Sequence, residues 1–223
     1  VSPVDREISA RIAAVQSATA VPLAAGAMSG AHPSAEPVPE AFFDRYLAEV
    51  DALRPRIERD QKLCIVYTPM HGVGWRYVKR TFERSGYPNV HVVADQAEPD
   101  GRFPTVNFPN PEEPGALDRA MSLADEKKAD LILANDPDAD RLAVCIPSAT
   151  GRFRQLTGNQ VGLLLADFML EHALAAPRPL VASSIVSSPM LGAIAAAHGA
   201  RFEQTLTGFK WIWNAALDLE AQE

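Results

Sequence analysis

Three aspartates and an arginine are the most distinctive group of chemically active side chains in this 223-residue sequence. Asp136, Asp138 and Asp140 follow the apolar run Leu-Ile-Leu-Ala and one asparagine, and Arg141 comes next. Alternate residues of an extended loop point to one side, so the three carboxylates can converge and would then repel one another. A hard cation removes that repulsion, and Mg²⁺ prefers oxygen ligands of this kind. The spacing therefore predicts a magnesium loop with Asp136, Asp138 and Asp140 as ligands.

Three other kinds of acidic loop are alternatives to this hypothesis. A solvated acidic turn stays open as an alternative, because Asp and Pro are common turn formers. A calcium EF-hand loop starting at Asp136 needs Gly at its sixth position and Glu at its twelfth, where this chain has Arg and Pro. A phosphatase of the haloacid-dehalogenase type needs Asp-x-Asp-x-Thr or Val, and the last position here is Asp140 or Leu142. Both of these are excluded.

Arg141 adds a second function to the loop. It can be a counter-ion of the carboxylates, or, if a metal already neutralises them, it can hold a phosphate in a forked hydrogen bond. A metal beside an arginine is the equipment of phosphoryl transfer, in which catalysis is mainly positioning and charge stabilisation.

The elements around the loop alternate between strands and helices. Apolar runs predict strands at 62–67, 90–94, 131–134 and 142–146, separated by amphipathic helices. The pattern restarts after a turn-rich break, with helices beginning at 158, 190 and 209 and strands beginning at 180 and 201. This order predicts an α/β fold: a mixed, mostly parallel sheet with helices on both faces, plus part of a second, similar domain.

Three segments follow from the breaks in this pattern. Residues 1–39 hold an N-terminal helix and a linker rich in Ala, Gly, Pro and Ser. Residues 40–150 form the α/β domain that carries the acidic loop, and begin with a helix whose apolar face runs from Phe43 to Ile57. Residues 151–223 form the second domain, which at about seventy residues is short for a complete one.

Composition excludes several classes of function. Lys and Arg number 21 and Asp and Glu 28, and the resulting net charge of -7 argues against broad binding to nucleic acid or to an anionic membrane surface. No apolar run reaches the roughly 18–20 residues that cross a bilayer. Cys64 and Cys145 are too few for a disulfide framework, so we expect buried thiols in a reducing cytoplasm.

The acidic loop resembles the magnesium loop of the α-D-phosphohexomutases, the phosphoglucomutase and phosphomannomutase superfamily. Three other stretches are similar to the branch of that superfamily that contains phosphoglucomutase-2 and phosphopentomutase. They occur in the family's order, and the similarity covers nearly the whole chain. The stretches are 68–74 (Thr-Pro-Met-His-Gly-Val-Gly), 103–113 (Phe-Pro-Thr-Val-Asn-Phe-Pro-Asn-Pro-Glu-Glu) and 205–212 (Thr-Leu-Thr-Gly-Phe-Lys-Trp-Ile).

The resemblance implies four domains around a central cleft, of which this chain would hold the end of the first, the second and the start of the third. It implies that a phosphoserine gives its phosphoryl group to a hexose or pentose phosphate, forming a sugar bisphosphate, which returns the other phosphoryl group to the serine. The family's Thr-Ala-Ser-His-Asn-Pro stretch has no match in this chain. No catalytic residue is therefore assigned here, domains 1 and 4 are expected to be missing partners, and the chain alone is expected to be inactive.

The resemblance also implies site residues in both α/β domains. Asp136, Asp138 and Asp140 would bind Mg²⁺, and Arg141 would contact the phosphate. Thr207 and Gly208 match positions that face the sugar, and Lys210 is a weaker match; together with Arg141 they are the predicted substrate-binding residues. Thr207 can equally be a helix cap, and Lys210 a solvated lysine.

Two other polar residues are left outside the predicted site. His71, in a loop that contains glycine, is interpreted as a structural hydrogen-bonding residue. Asn110, followed by proline and two glutamates, is interpreted as the entry to a helix.

Two hypotheses from different classes follow. In the first, the chain is the metal-binding middle of a phosphosugar mutase. In the second, it is a non-catalytic module that binds a metal or a phosphosugar, or a structural fragment. The sequence does not choose among glucose, mannose and pentose phosphates.

Overall fold

A computed structural model of the chain describes residues 3–15, 17–26, 29, 32–34, 36–55, 57–58, 61–172 and 179–221. Its helices α1–α7 are Val4–Ala13, Glu40–Leu53, Trp75–Ser85, Asp118–Lys127, Gly158–His172, Met190–Ala197 and Phe209–Glu220. Its strands β1–β7 are Ile65–Thr68, Val90–Val92, Leu131–Asn135, Leu142–Pro147, Phe153–Gln155, Leu180–Ser184 and Arg201–Thr205.

The chain divides into two compact units, Val1–Tyr46 and Leu47–Glu223. The first unit contains α1, a short 3-10 turn at Ala18–Ala20 and the beginning of α2. Among its described residues α1 buries no side chain. The segment boundaries predicted at 39/40 and 150/151 stay predictions.

Helix α2 ends earlier than its sequence pattern predicts. The apolar face was expected to run to Ile57, but the helix stops at Leu53, which is exposed, and only Leu47 is buried. Pro55 explains the difference, because the residue before a proline, here Arg54, is disfavoured in the α conformation. The predicted C-terminal extension to Ile57 is therefore wrong.

The larger unit contains a five-stranded sheet with the strand order β2-β1-β3-β4-β5. Strands β2, β1 and β3 are parallel, whereas β4 runs antiparallel to β3 and β5 antiparallel to β4. A second sheet pairs β6 with β7 in parallel. The predicted mixed, mostly parallel α/β fold is confirmed, while the three-residue strand β5 was not predicted.

The core lies between the first sheet and α4. Val66 and Ile132, from the parallel strands β1 and β3, are fully buried against Ala120 and Ala124 of α4. Alanines on this face allow the helix to approach the sheet closely. The chain passes from β1 to β2 on one side and from β2 back past β1 to β3, so the right-handed rule for parallel crossovers assigns α3 and α4 to opposite faces.

The strand order also determines where a ligand can bind. The chain goes from β1 to its neighbour β2 on one side, and then returns to β3, the neighbour of β1 on the other side. The strand order therefore reverses between β1 and β3, which makes this position a topological switch point. In open α/β sheets, ligands bind in the crevice outside the carboxyl ends of the strands at such a point. The loops at 69–74 and 136–141 leave β1 and β3 at this edge.

Among the helices of the described residues, none combines the length and the apolar character that crossing a bilayer requires.

Candidate metal centre

The acidic loop is the connection of a β-hairpin. Asn135, the last residue of β3, pairs with Leu142, the first residue of antiparallel β4, so both ends of the loop are fixed in the sheet. Within the loop, the Ala139 backbone N–H donates to the Asp136 carbonyl at 3.0 Å, and Ala139 has a φ of 61°. This tight turn holds the aspartates on either side of it close together.

The three aspartates converge, as their spacing predicts. One carboxylate oxygen from each of Asp136, Asp138 and Asp140 can be chosen so that all lie within 4.8 Å of one another. Asp136 is 2% exposed, and the other two side chains are exposed. The cluster is therefore anchored on one side in the protein and open to solvent on the other. That these oxygens bind a metal stays a prediction.

The charges in the loop are not balanced. Burial acts to raise the pKa of Asp136, but hydrogen bonds from the Arg141 backbone and guanidinium hold it below its ordinary value. The pKa of Asp140 is raised, first by its hydrogen bond with Asp136 and then by the charge of Asp138. Ionised Asp140 is thus disfavoured by its neighbours, and a cation in the cluster would relieve that repulsion.

Arg141 is held against Asp136 by two hydrogen bonds. Its backbone N–H donates to Asp136 Oδ1 at 3.0 Å, and its Nε donates to Oδ2 at 2.8 Å. Its Nη1 donates to Asn110 Oδ1 at 2.9 Å, and half of its side chain is exposed. Arg141 therefore acts as a counter-ion in this structure. A contact between its guanidinium and a phosphate stays a prediction.

Asp136 retains the capacity to bind a cation as well. A carboxylate oxygen has two lone-pair directions, and each oxygen of Asp136 accepts one described hydrogen bond from Arg141. Three carboxylates so close together, with one guanidinium beside them, form the hard oxygen donor set that suits Mg²⁺. The residues present fit this ion.

The loop at 69–74 supports the acidic loop through the backbone. Val73 N–H donates to the Pro137 carbonyl at 2.9 Å. A Cβ on Gly72 would lie 2.3 Å from Pro137 Cα and O, so only glycine allows this approach. A Cβ on Gly74 would lie 3.0 Å from the Tyr67 hydroxyl and 3.2 Å from the Ala139 Cβ. Both glycines thus bring the two loops into direct contact.

His71 lies behind this contact and is buried. Its Nε2 forms a 2.8 Å hydrogen bond with Thr105 Oγ1, its N–H donates to the Gln96 carbonyl, and its carbonyl accepts from Asp100 N–H. Gln96 Nε2 donates to the same Thr105 hydroxyl, which ties the segment after β2 to the loop after β1. These contacts agree with the structural interpretation of His71.

Sequence reasoning missed the residues that hold the loop from outside. Asn110 was expected to start a helix, but α4 begins only at Asp118. Asn110 Oδ1 instead accepts from Glu112 N–H, an Asx turn, and from the Arg141 guanidinium. The turn signal of Asn-Pro was correct, and the helix entry was wrong. Tyr67 was missed as well: its hydroxyl donates to Asn135 Oδ1 at 2.9 Å.

The remaining predicted site residues follow β7 of the second sheet, Thr207 and Gly208 in the connection to α7 and Lys210 in its first turn. Gly208, with a φ of 126°, takes the N-cap position of α7, so Thr207 is not the cap. Lys210 Nζ lies 5.5 Å from the centre of the Trp211 ring. Within the described residues, no hydrogen bond or ion pair joins these side chains to the acidic loop. Their contact with a sugar stays a prediction.

Comparisons with known proteins identify both α/β parts of the chain. Residues 40–149 match the family model for phosphoglucomutase/phosphomannomutase, alpha/beta/alpha domain II, and residues 157–222 match the model for domain III. A protein of Haemophilus influenzae named "Probable phosphomannomutase" is 48% identical over 169 residues, covering 76% of this chain and 34% of that protein.

Other relatives and a solved structure agree with this family. The phosphoribomutase of Saccharomyces cerevisiae is 43% identical over 191 residues, covering 78% of this chain and 30% of its own length. The crystal structure of a phosphoglucomutase/phosphomannomutase family protein from Burkholderia thailandensis has a TM-score of 0.62 at 21% identity, covering 79% of this chain and 35% of that one. The similarity to this structure supports the fold.

The chain spans about a third of the length of the curated relatives it matches. The names of these relatives include phosphomannomutase and phosphoribomutase, which is consistent with the predicted superfamily and with its phosphopentomutase branch. With more than half of its residues matched by two adjacent domains, the chain belongs to the phosphoglucomutase/phosphomannomutase family.

Proposed function

We propose that this chain is the metal-binding domain and the start of the sugar-binding domain of a phosphosugar mutase. The parent protein moves a phosphoryl group between C1 and C6 of a hexose phosphate, or between C1 and C5 of a pentose phosphate. The observation that carries the proposal is the convergence of Asp136, Asp138 and Asp140 at the switch point of a sheet whose sequence matches domain II of this family. The proposed domains are 40–150 and 151–223.

Asp136, Asp138 and Asp140 are the proposed Mg²⁺ ligands. When bound, Mg²⁺ supplies Lewis-acid stabilisation of negative charge on the phosphoryl group being transferred. Asp136 is buried and fixed by Arg141, so it anchors the site, while the exposed Asp138 and Asp140 complete it on the solvent side. A ligand set exposed on one side keeps the ion accessible to a phosphate.

Arg141 is the proposed phosphate-binding residue of this domain. Its Nε and Nη1 are directed by Asp136 and Asn110, which fixes the plane of the guanidinium, and half of the side chain remains exposed. A guanidinium that is already oriented loses less freedom when it binds a phosphate. Thr207, Gly208 and Lys210 are the proposed sugar contacts of the second domain.

The phosphoryl carrier is proposed to lie elsewhere in the parent protein. In the first half of the reaction a phosphoserine transfers its phosphoryl group to the free hydroxyl of a sugar monophosphate, giving a bisphosphate and a free serine. In the second half, the serine regains a phosphoryl group from the other position. Because this chain contains no match to the family's serine stretch, we expect no turnover from the isolated 223 residues in a coupled mutase assay. Clear activity would show that a different nucleophile operates.

Calorimetric titration of Mg²⁺ into the wild type and into Asp138→Asn tests the metal site. We expect saturable binding by the wild type and its loss in the variant. Asp125→Asn is the matched control, because Asp125 is an exposed aspartate of α4. Equal binding by wild type and Asp138→Asn would refute the assignment of the ligands.

Activity of the parent protein distinguishes the mutase from a non-catalytic binding module. We expect the parent to convert a hexose or pentose 1-phosphate when primed with the sugar bisphosphate, and the Asp138→Asn change to abolish that conversion. A parent that binds Mg²⁺ and sugar phosphates without isomerising them would support the module.

A further inference from the structure

We propose that Asn135 is a positioning residue that holds the acidic loop in its metal-binding shape, and that Tyr67 fixes the orientation of the Asn135 amide. This inference rests on the proposed function of the loop as a Mg²⁺ site. It concerns neither a ligand nor a catalytic group, since both residues act through the loop.

The Asn135 side chain connects the two ends of the loop. Asn135 immediately precedes Asp136, and its Nδ2 donates to the carbonyl of Arg141 at 2.6 Å. Arg141 N–H in turn donates to Asp136 Oδ1 at 3.0 Å. These two hydrogen bonds join the last residue of β3 and the first residue of the loop to Arg141 at its end, so together they close the loop.

An asparagine amide can close the loop in this way only in one of its two orientations. Its oxygen accepts and its nitrogen donates, so a rotation of 180° would turn the oxygen towards the Arg141 carbonyl. The Tyr67 hydroxyl lies on the other side of the amide and donates to Oδ1 at 2.9 Å. The Arg141 carbonyl can only accept, so it selects the orientation in which Nδ2 faces it, and the Tyr67 hydroxyl donates to the oxygen on the other side and holds the amide there.

Tyr67 is well suited to this role because it is itself immobile. It is 1% exposed, its ring stacks on Trp75 with the centroids 5.5 Å apart, and the absence of a Cβ on Gly74 leaves space for its hydroxyl. Burial raises the pKa of the Tyr67 hydroxyl, so it remains a protonated donor. The rigid strand β1 thereby determines the conformation of a loop that follows β3.

Groups that orient a metal-binding segment contribute to its affinity for the metal, and their removal typically lowers that affinity about 10–100-fold. We therefore expect Asn135→Ala to raise the Mg²⁺ dissociation constant about tenfold, and Tyr67→Phe to raise it roughly threefold or more. Tyr67→Phe keeps the buried ring and its stacking, so the fold should be retained. Tyr87→Phe is the control, because this ring lies at the far end of α3 against Phe82.

A double-mutant cycle in the 223-residue chain separates positioning from general destabilisation. Mg²⁺ titration by calorimetry is run on the two single variants and on the double variant, with urea unfolding of each. The inference requires that Tyr67→Phe has no further effect on Mg²⁺ affinity once Asn135 is alanine, because the hydrogen bond through which its hydroxyl is proposed to act is then gone. Variants that unfold more easily but bind Mg²⁺ like the wild type would overturn it, as would equal effects of Tyr67→Phe in both backgrounds.

Failure of the proposed function is distinguishable from failure of this inference. If the wild type itself binds no Mg²⁺, the metal site is refuted and the inference falls with it. If the wild type binds Mg²⁺ and both single variants bind it equally well, the inference alone is refuted. Should Tyr67→Phe fail to fold, Asn135→Ala still decides the result, because this residue is only partly buried at the carboxyl end of β3.

Discussion

Replacing Gly72 by alanine should separate the acidic loop from the loop that supports it. The new Cβ would lie 2.3 Å from Pro137 Cα and O, whereas ordinary contact begins at 3.4 Å, so the two backbones must move apart by about 1 Å. Gly72 does not have a left-handed φ, and the whole cost therefore arises from this contact. The movement also stretches the 2.9 Å hydrogen bond from Val73 N–H to the Pro137 carbonyl beyond bonding distance.

The size of the effect follows from these two losses. Inserting a methyl group into a closely packed site costs about 1–3 kcal/mol. Loss of one backbone hydrogen bond adds about 1 kcal/mol. We expect Gly72→Ala to lower the free energy of unfolding by roughly 2–4 kcal/mol. Because Pro137 lies between Asp136 and Asp138, we also expect the Mg²⁺ dissociation constant to rise about tenfold or more.

Urea unfolding without metal and calorimetric Mg²⁺ titration of the folded protein measure the two effects separately. Gly101→Ala is the matched control, because a Cβ there would meet nothing within 4 Å and its φ is not left-handed. If Gly72→Ala and Gly101→Ala gave the same unfolding midpoint and the same Mg²⁺ affinity, the close approach of the two loops would not shape the site.

Three further results are expected. Gly162→Ala should stabilise the protein by about 0.5–1 kcal/mol in urea unfolding, because Gly162 lies inside α5 with nothing near its absent Cβ; a lower stability would contradict this. Without metal, Asp140 should contribute a loss of stability as the pH rises from about 3.8 through its raised pKa, because it then binds a proton in the folded but not in the unfolded state, whereas Asp136, whose pKa is lowered, contributes in the opposite sense. Asp140→Asn should reduce this loss in thermal unfolding with EDTA and should weaken Mg²⁺ binding; an unchanged pH profile would argue against the repulsion. Burial raises the pKa of Cys145 to about 11. We therefore expect mass spectrometry to find this thiol unmodified by a disulfide reagent at pH 8 until urea unfolds the chain. Rapid labelling of the native protein would show that the core opens.

The sequence allowed most of the sheet to be predicted, because buried strands appear as continuous apolar runs. The runs before the acidic loop and after it correspond to β3 and β4, and helices α5, α6 and α7 begin at the predicted residues. The short strand β5 was missed, since three residues of mixed polarity carry little periodic signal. The direction of β4 was missed as well, because an apolar run is compatible with either orientation.

The candidate site divides in the same way into local and distant contributions. The convergence of the three aspartates could be predicted, since their spacing of two residues is a local property. The partners of the loop could not. Asn110 reaches Arg141 across 31 residues of sequence, and Tyr67 reaches Asn135 across 68. Such contacts depend on which strands are neighbours in the sheet, and the spacing of residues within one segment does not contain that information.

The hairpin between β3 and β4 limits how the length of the acidic loop can change. A connection from a strand to a helix absorbs an added residue by a small shift of the helix. Here Asn135 and Leu142 are paired, so an insertion between them must either bulge out or slip β4 by one position. A slip would turn Ala143 and Cys145, now buried, towards the opposite face of the sheet. Indels in this segment are therefore constrained by the hydrophobic interior of the domain, independently of any ion that the loop binds.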